Sequence, residues 1–181
     1  MKAVMLSLRP QWCEKIFNGS KTIEVRKSRP YIPTPFTVYV YQTKHKGGNA
    51  TVREVLNSVY GGGKVIGSFV CDRVRLCIPF GLKGHLLSQE VYREMCLTKE
   101  QLDKYGGLKT LYGWHITEPK LFDKPKELGE FRKPCNHIND CCTCKEAEFQ
   151  YDGDELRGLI CKREIPLTRP PQSWCYVEEE K

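Results

Sequence analysis

Strand-like runs recur along this chain in an order that never sets up a regular strand–helix–strand alternation. Lys2–Leu8, Phe36–Gln42, Lys64–Ile78 and Tyr112–Thr117 carry β-branched and aromatic residues, and Pro170–Glu178 adds a last strand after a proline-fixed entry. Helical spacing is confined to short pieces at Pro10–Asn18, Thr51–Tyr60 and Ser88–Tyr105. The most economical architecture for this pattern is α+β: a small, partly open β-barrel with flanking helices. The 181 residues suit a single domain spanning 1–181, within which 133–163 reads as a Cys-rich insertion.

Local punctuation sharpens the element boundaries. Pro10 stands where a first helical residue tolerates proline, and Gly19 falls just past the end. Trp12 and Ile16, four apart, share a face, so Trp12 is either a core anchor or a platform for a base. Ser88–Tyr105 reads as two helices meeting near Leu97-Thr98, because Thr98 with Gln101 forms a capping box, and Gly106-Gly107 ends the second. Gly67 inside the long strand marks a bulge or a close backbone approach. Pro30, Pro33 and Pro35 make an extended connector, and Glu118–Leu128 reads as a proline-broken one.

The stretch Gly19-Ser20-Lys21-Thr22-Ile23-Glu24-Val25-Arg26 carries the chemistry. On a strand, Glu24 and Arg26 share a face about 6.5–7 Å apart at the backbone, and a turn at the entrance swings Lys21 over the same mouth. A carboxylate between two cations either holds a polar ligand and tunes the lysine's protonation, or belongs to a solvated edge strand. The charge distribution fits the first reading or a plain solubility bias. Residues 1–46 hold nine Lys/Arg and two acids, whereas the remaining 135 hold 20 of each, so the entire +7 excess surrounds this motif. Local positive potential attracts anions, and nucleic acid is the commonest large one.

Other classes are excluded or subordinate. No apolar run approaches the ~20 residues of a membrane span, and the N-terminal stretch is too quickly interrupted for a signal peptide, so a cytoplasmic setting is expected. Gly61-Gly62-Gly63 lacks the Gly-Lys-Ser/Thr ending of a phosphate loop, so no nucleotide cofactor is expected. The ten cysteines are read as reduced thiols or metal ligands. Cys141-x-x-Cys144 has the gap that grips one metal, with Cys135 and Cys161 completing a structural zinc set and Cys142 or His137 as substitutes; free thiols, or a redox or disulfide role, are the alternatives. Cys13, Cys71, Cys77 and Cys96 lie in apolar settings as small hydrophobes. His115 is either a cleft residue or a hydrogen-bonded structural histidine. Tyr39 and Tyr41, on one parity, are either a stacking surface or packing.

The Gly19–Arg26 stretch matches the Gly-x-Lys-x-x-Glu-x-Arg signature of ASCH domains. Arg9-Pro10-x-Trp12 precedes it, and Val65-Ile66-Gly67, Leu97–Leu102 before Tyr105, and Tyr112–Ile116 follow in order. Over residues 1–130 and 165–178 the chain therefore resembles the short stand-alone ASCH proteins of bacteria and their phages. The resemblance implies a PUA-like β-barrel with a cleft beside the motif and a role in RNA binding. Some ASCH proteins are amidohydrolases of acylated cytidine nucleosides, working through a lysine, a threonine and a glutamate. The lysine corresponds to Lys21, the threonine to Glu24, so its hydroxyl is missing here, and the glutamate to Glu94 or, second, Glu90. Other relatives are ribonucleases, for which Lys21 and Arg26 would stabilise phosphate charge with Glu24 as base. Two functions are thus expected. The first is binding of RNA or a nucleotide-like ligand by Lys21, Glu24 and Arg26, extended by Arg9, Lys27 and Arg29. The alternative is a hydrolase using Lys21 with Glu24 and Glu94.

Overall fold

The computed structural model describes residues 2–47, 49–51, 54, 57, 61–81, 87–134, 147–152, 155–161 and 164–178. In chain order the elements are β1 (Lys2–Leu8), α1 (Pro10–Phe17), β2 (Ile23–Arg26), β3 (Phe36–Gln42) and β4 (Val65–Ile78). Then come α2 (Gln89–Met95), α3 (Lys99–Gly106), β5 (Leu111–Lys126), a 3-10 turn at Leu128–Glu130, β6 (Arg132–Pro134), β7 (Ala147–Asp152), β8 (Glu155–Cys161), β9 (Glu164–Pro166) and β10 (Trp174–Glu178). The class is α+β. Of the helix expected at 51–60, Thr51, Glu54 and Asn57 are helical and the remainder lies outside the described residues.

Six strands form one mixed sheet in the order β10-β1-β3-β4-β5-β2, with β1 and β3 parallel and the other pairs antiparallel. The hydrophobic pattern explains why the central pair is so apolar. Val4, Leu6 and Leu8 face one side, against Cys13 and Ile16 of α1 and against Val38, Val40 and Trp114. Ala3 and Met5 face the other, where Tyr39, Tyr41, Phe131, Leu167 and Val177 cover them. A strand buried on both faces needs a nearly continuous apolar run rather than strict alternation. Tyr39 and Tyr41 therefore serve as packing, and Tyr39 lies 4.9 Å from the Phe131 ring.

The sheet, expected as a partly open barrel, is not a closed one. Its edges, β10 and β2, do not pair with each other among the described residues. It is nevertheless rolled, because Trp174 on β10 reaches Trp114 on β5, with ring centroids 5.8 Å apart. Side chains bridge the seam in place of a ladder: Trp174 Nε1 donates to Ser28 Oγ at 3.0 Å, and Tyr31 N to the Tyr176 hydroxyl at 2.7 Å. The prolines at 30, 33 and 35 explain the gap, since they remove backbone donors just where β2 would have to extend along β10.

The strand β5 corrects an expectation. It runs well past Thr117, through Pro119 and Pro125, to Lys126. Both prolines sit in register shifts against β4, between the pairs Val70–Thr117 and Ser68–Lys120 and between Gly67–Leu121 and Val65–Lys126. A bulge leaves a residue out of the ladder, so a proline there costs no hydrogen bond. Glu118, beside Pro119, has a positive φ of 50°.

β6 pairs with β9 and β7 with β8, so the chain between them leaves and returns through a two-stranded stem. Phe131 and Leu167 anchor its base in the core, and Leu167 N donates to Phe131 O at 2.9 Å. Of the expected zinc set, Cys135, Cys141 and Cys144, with the substitutes Cys142 and His137, lie outside the described residues, and Cys161 ends β8. Among the described residues no cluster of His, Cys, Asp and Glu is arranged to hold a metal, and no helix is long and apolar enough to cross a membrane.

Gly67 shows both features its position suggested. The β4 register shifts beside it, and a Cβ there would lie 2.8 Å from Phe17 Cζ and against the Lys120 carbonyl oxygen. The methyl group of Gly67→Ala should push α1 off the sheet and cost about 1–3 kcal/mol. Urea unfolding checks this; an unchanged midpoint would mean that α1 yields freely.

Candidate functional site

The turn between α1 and β2 is built from backbone constraints. Asn18 closes α1 and Gly19 takes φ +79°, which a glycine adopts without strain. Ser20 N then donates to Asn18 Oδ1 at 3.0 Å and Lys21 N to Lys15 O at 2.8 Å, turning the chain back under α1. The next contacts are with the far end of α2, whose last carbonyls have no partner within the helix. Thr22 N donates to Glu94 O at 3.0 Å, and Lys21 Nζ to Met95 O at 2.6 Å. A lysine ammonium at a helix C-terminus also complements the negative end of its dipole.

β2 then places the remaining charges as its alternation predicts. Glu24 Oε2 lies 3.4 Å from Lys21 Nζ, and Glu24 Oε1 lies 3.1 Å from an Arg26 terminal nitrogen. That nitrogen also donates to Ser7 O on β1 at 3.0 Å, crossing from one side of the rolled sheet to the other. Lys21, Glu24 and Arg26 are 2%, 6% and 9% exposed, which removes the solvated edge-strand reading. Burial pushes the Lys21 ammonium below the ordinary lysine value, and the Glu24 carboxylate opposes that shift. Arg26 Nε and Ser7 Oγ are buried polar atoms without a hydrogen-bond partner.

These groups line a cleft of about 750 Å3 between the ends of β1 and β2, α1, α3 and the Pro170-Pro171 segment. Arg9, Lys21, Arg26 and Lys104 line it against the carboxylate of Glu24, so its walls are cationic. Trp12 forms one wall, half-buried, with Lys21 Nζ 5.3 Å from its ring centroid. Trp12 thus packs on the core, as an anchor would, and also lines the cleft.

The other sequence candidates fall on both sides of this boundary. Lys27 is exposed and lies over the Tyr105 ring at 4.8 Å. Arg29 rests between the Tyr31 and Tyr112 rings and does not line the cleft. Glu94 and Glu90 stay outside the lining as well, and Glu94 contributes its backbone carbonyl to the turn. His115 is hydrogen-bonded through Nδ1 to Asp72 Oδ1 at 2.7 Å, away from the cleft. Cys13 and Cys71 are buried, and burial pushes both thiols up to about 12, as inert small hydrophobes require.

Sequence reasoning missed the α3 wall. Leu97, Gln101, Lys104 and Tyr105 all reach the cleft, while Leu102 is buried in the third core cluster with Val25 and Met95. The signal was partial: Gln101 and Tyr105 lie four apart on α3 and share one helix face. Burial pushes the Tyr105 hydroxyl above the ordinary tyrosine value, and Arg26, which donates a hydrogen bond to it, pulls it back.

The charge arithmetic of the cluster orders two variants. Glu24→Gln leaves two buried cations without a counter-charge and should cost about 3–5 kcal/mol. Lys21→Met leaves a neutral Glu24–Arg26 pair and one carbonyl without its donor, about 1–3 kcal/mol. Denaturant unfolding of both should rank Glu24→Gln as the more damaging; the reverse order would mean that Lys21, and not the carboxylate, holds the cluster together.

No family model and no curated protein matches this chain. Solved structures do. The chain is similar to ASCH from Zymomonas mobilis, at 16% identity with a TM-score of 0.56, the match covering 98% of this chain and 88% of that one. Two mutant proteins of the same ASCH match at 16% and 17% identity, with TM-scores of 0.56 and 0.55, covering 99% and 98% of this chain and 92% and 89% of theirs. At this identity the likeness is one of fold: the chain has the ASCH fold.

Proposed function

We propose that this protein binds RNA, or a nucleotide-sized part of it, in the cleft over Lys21, Glu24 and Arg26. The observation that carries the reading is the burial of this charged chain at the floor of an otherwise cationic cleft. Buried ion clusters are weak contributors to stability, and apolar residues of similar volume commonly serve as well. Their presence beside a cleft is therefore better explained by a ligand than by the fold. The ASCH fold is compatible with nucleic-acid binding.

Each residue has a role its geometry supports. The Arg26 guanidinium is planar and pinned at one end by Ser7 O and Glu24, a fixed orientation that suits a phosphate or a base edge. Lys21 supplies a point charge at the floor. Glu24 orients both cations and offers acceptor oxygens to an amino group. Arg9 and Lys104 add cations at the walls, Lys27 lies over Tyr105, and Arg29 extends the basic surface further out. Both Glu24 oxygens already face cations, and neither Glu94 nor Glu90 lines the cleft, so binding is favoured over hydrolysis.

Retention of labelled RNA should fall steeply with salt in the wild type and drop at least tenfold in Lys21→Met at fixed salt, with the fold intact by circular dichroism. Mass spectrometry of the same incubations, with acylated nucleosides added, should show no new products. Unchanged retention in the variant would remove the cleft from RNA binding, and products formed by wild type alone would make the protein a hydrolase.

A further inference from the structure

A second cleft, about 860 Å3, lies on the other side of Trp12. It shares Gln11, Trp12, Leu97 and Gln101 with the first, so the two are halves of one groove divided by a low ridge. Its charged lining is entirely basic among the described residues: Lys15 from α1, Arg93 from α2 and Lys99 from α3. Three separate elements converge there, so the charge is not the solvated face of one helix. The ridge itself is aromatic and has two cations beside it. Lys15 Nζ stands 5.4 Å and Lys21 Nζ 5.3 Å from the Trp12 ring centroid.

Cations spaced along a groove around a half-buried aromatic ring are an arrangement that holds a single strand, the cations on phosphates and the ring against a base. Resting on the binding reading above, we infer that the ligand is a single-stranded oligonucleotide rather than a free nucleoside. One nucleotide lies in the first cleft, and the adjoining backbone crosses Trp12 onto Lys15, Arg93 and Lys99. A duplex does not fit this arrangement, because its bases are stacked on each other and unavailable to the ridge.

The test uses the triple variant Lys15→Gln, Arg93→Gln and Lys99→Gln, none of which lines the first cleft. Its probes are a labelled pool of random hexaribonucleotides, read by anisotropy, and the four ribonucleoside 5′-monophosphates, read from the Trp12 indole N–H resonance. The triple variant should bind the hexamers at least tenfold more weakly, with a salt slope smaller by about 2 for three lost phosphate contacts. Its affinity for the monophosphates should stay at the wild-type level. Unchanged hexamer affinity and slope would overturn the inference while leaving the first cleft in place. Equal loss of hexamer and monophosphate binding would also overturn it, since the second cleft would then have no separate role. Displacement of the hexamers by hexaglutamate at equal concentration would make the groove a general polyanion surface. Wild-type hexamer binding that survives Lys21→Met undiminished would instead sink the underlying cleft reading.

Discussion

Two cations buried in one pocket repel each other where water cannot screen them, and Glu24 is what lets Lys21 and Arg26 share theirs. Each oxygen of that carboxylate faces one cation. The cations in turn reach outward, Lys21 to the last carbonyl of α2 and Arg26 to a carbonyl of β1. One four-residue strand thereby ties a helix end to the opposite side of the sheet. The arrangement fixes the guanidinium and the ammonium without mobile solvent-exposed stems, which lowers the ordering cost of any anion that meets them.

The rolled but unclosed sheet makes room for this. A ladder between β10 and β2 would fill the seam with backbone; side-chain bridges from Trp174 and Tyr176 hold it together further along. Between these bridges and α3 the seam opens into the cleft, next to the Pro170-Pro171 entry of β10.

Much of this was legible in the residues. Proline and glycine punctuation gave α1 to within a residue, and the Thr98–Gln101 capping box split the two later helices correctly. The alternation from Ile23 to Arg26 placed Glu24 and Arg26 together, and the turn brought Lys21 to them, because those relations are local. What failed was non-local. Pro119 and Pro125 read as strand breakers, since a sequence does not show that bulges against β4 would absorb them. The α3 wall of the cleft was one helix face whose opposing surface only the tertiary packing reveals, and the same holds for Lys15, Arg93 and Lys99, which come together from three helices.

The central claim is that RNA lies over the buried charge cluster and against Trp12. Ultraviolet crosslinking of bound RNA, followed by peptide mapping, asks this directly, because a stacked or apposed aromatic ring forms the crosslink. The account predicts adducts on the peptides carrying Trp12 and Tyr105, the two aromatic residues of the cleft. Adducts confined to other peptides, with Trp12 and Tyr105 unmodified, would contradict it and leave the Lys21–Glu24–Arg26 cluster as a structural latch.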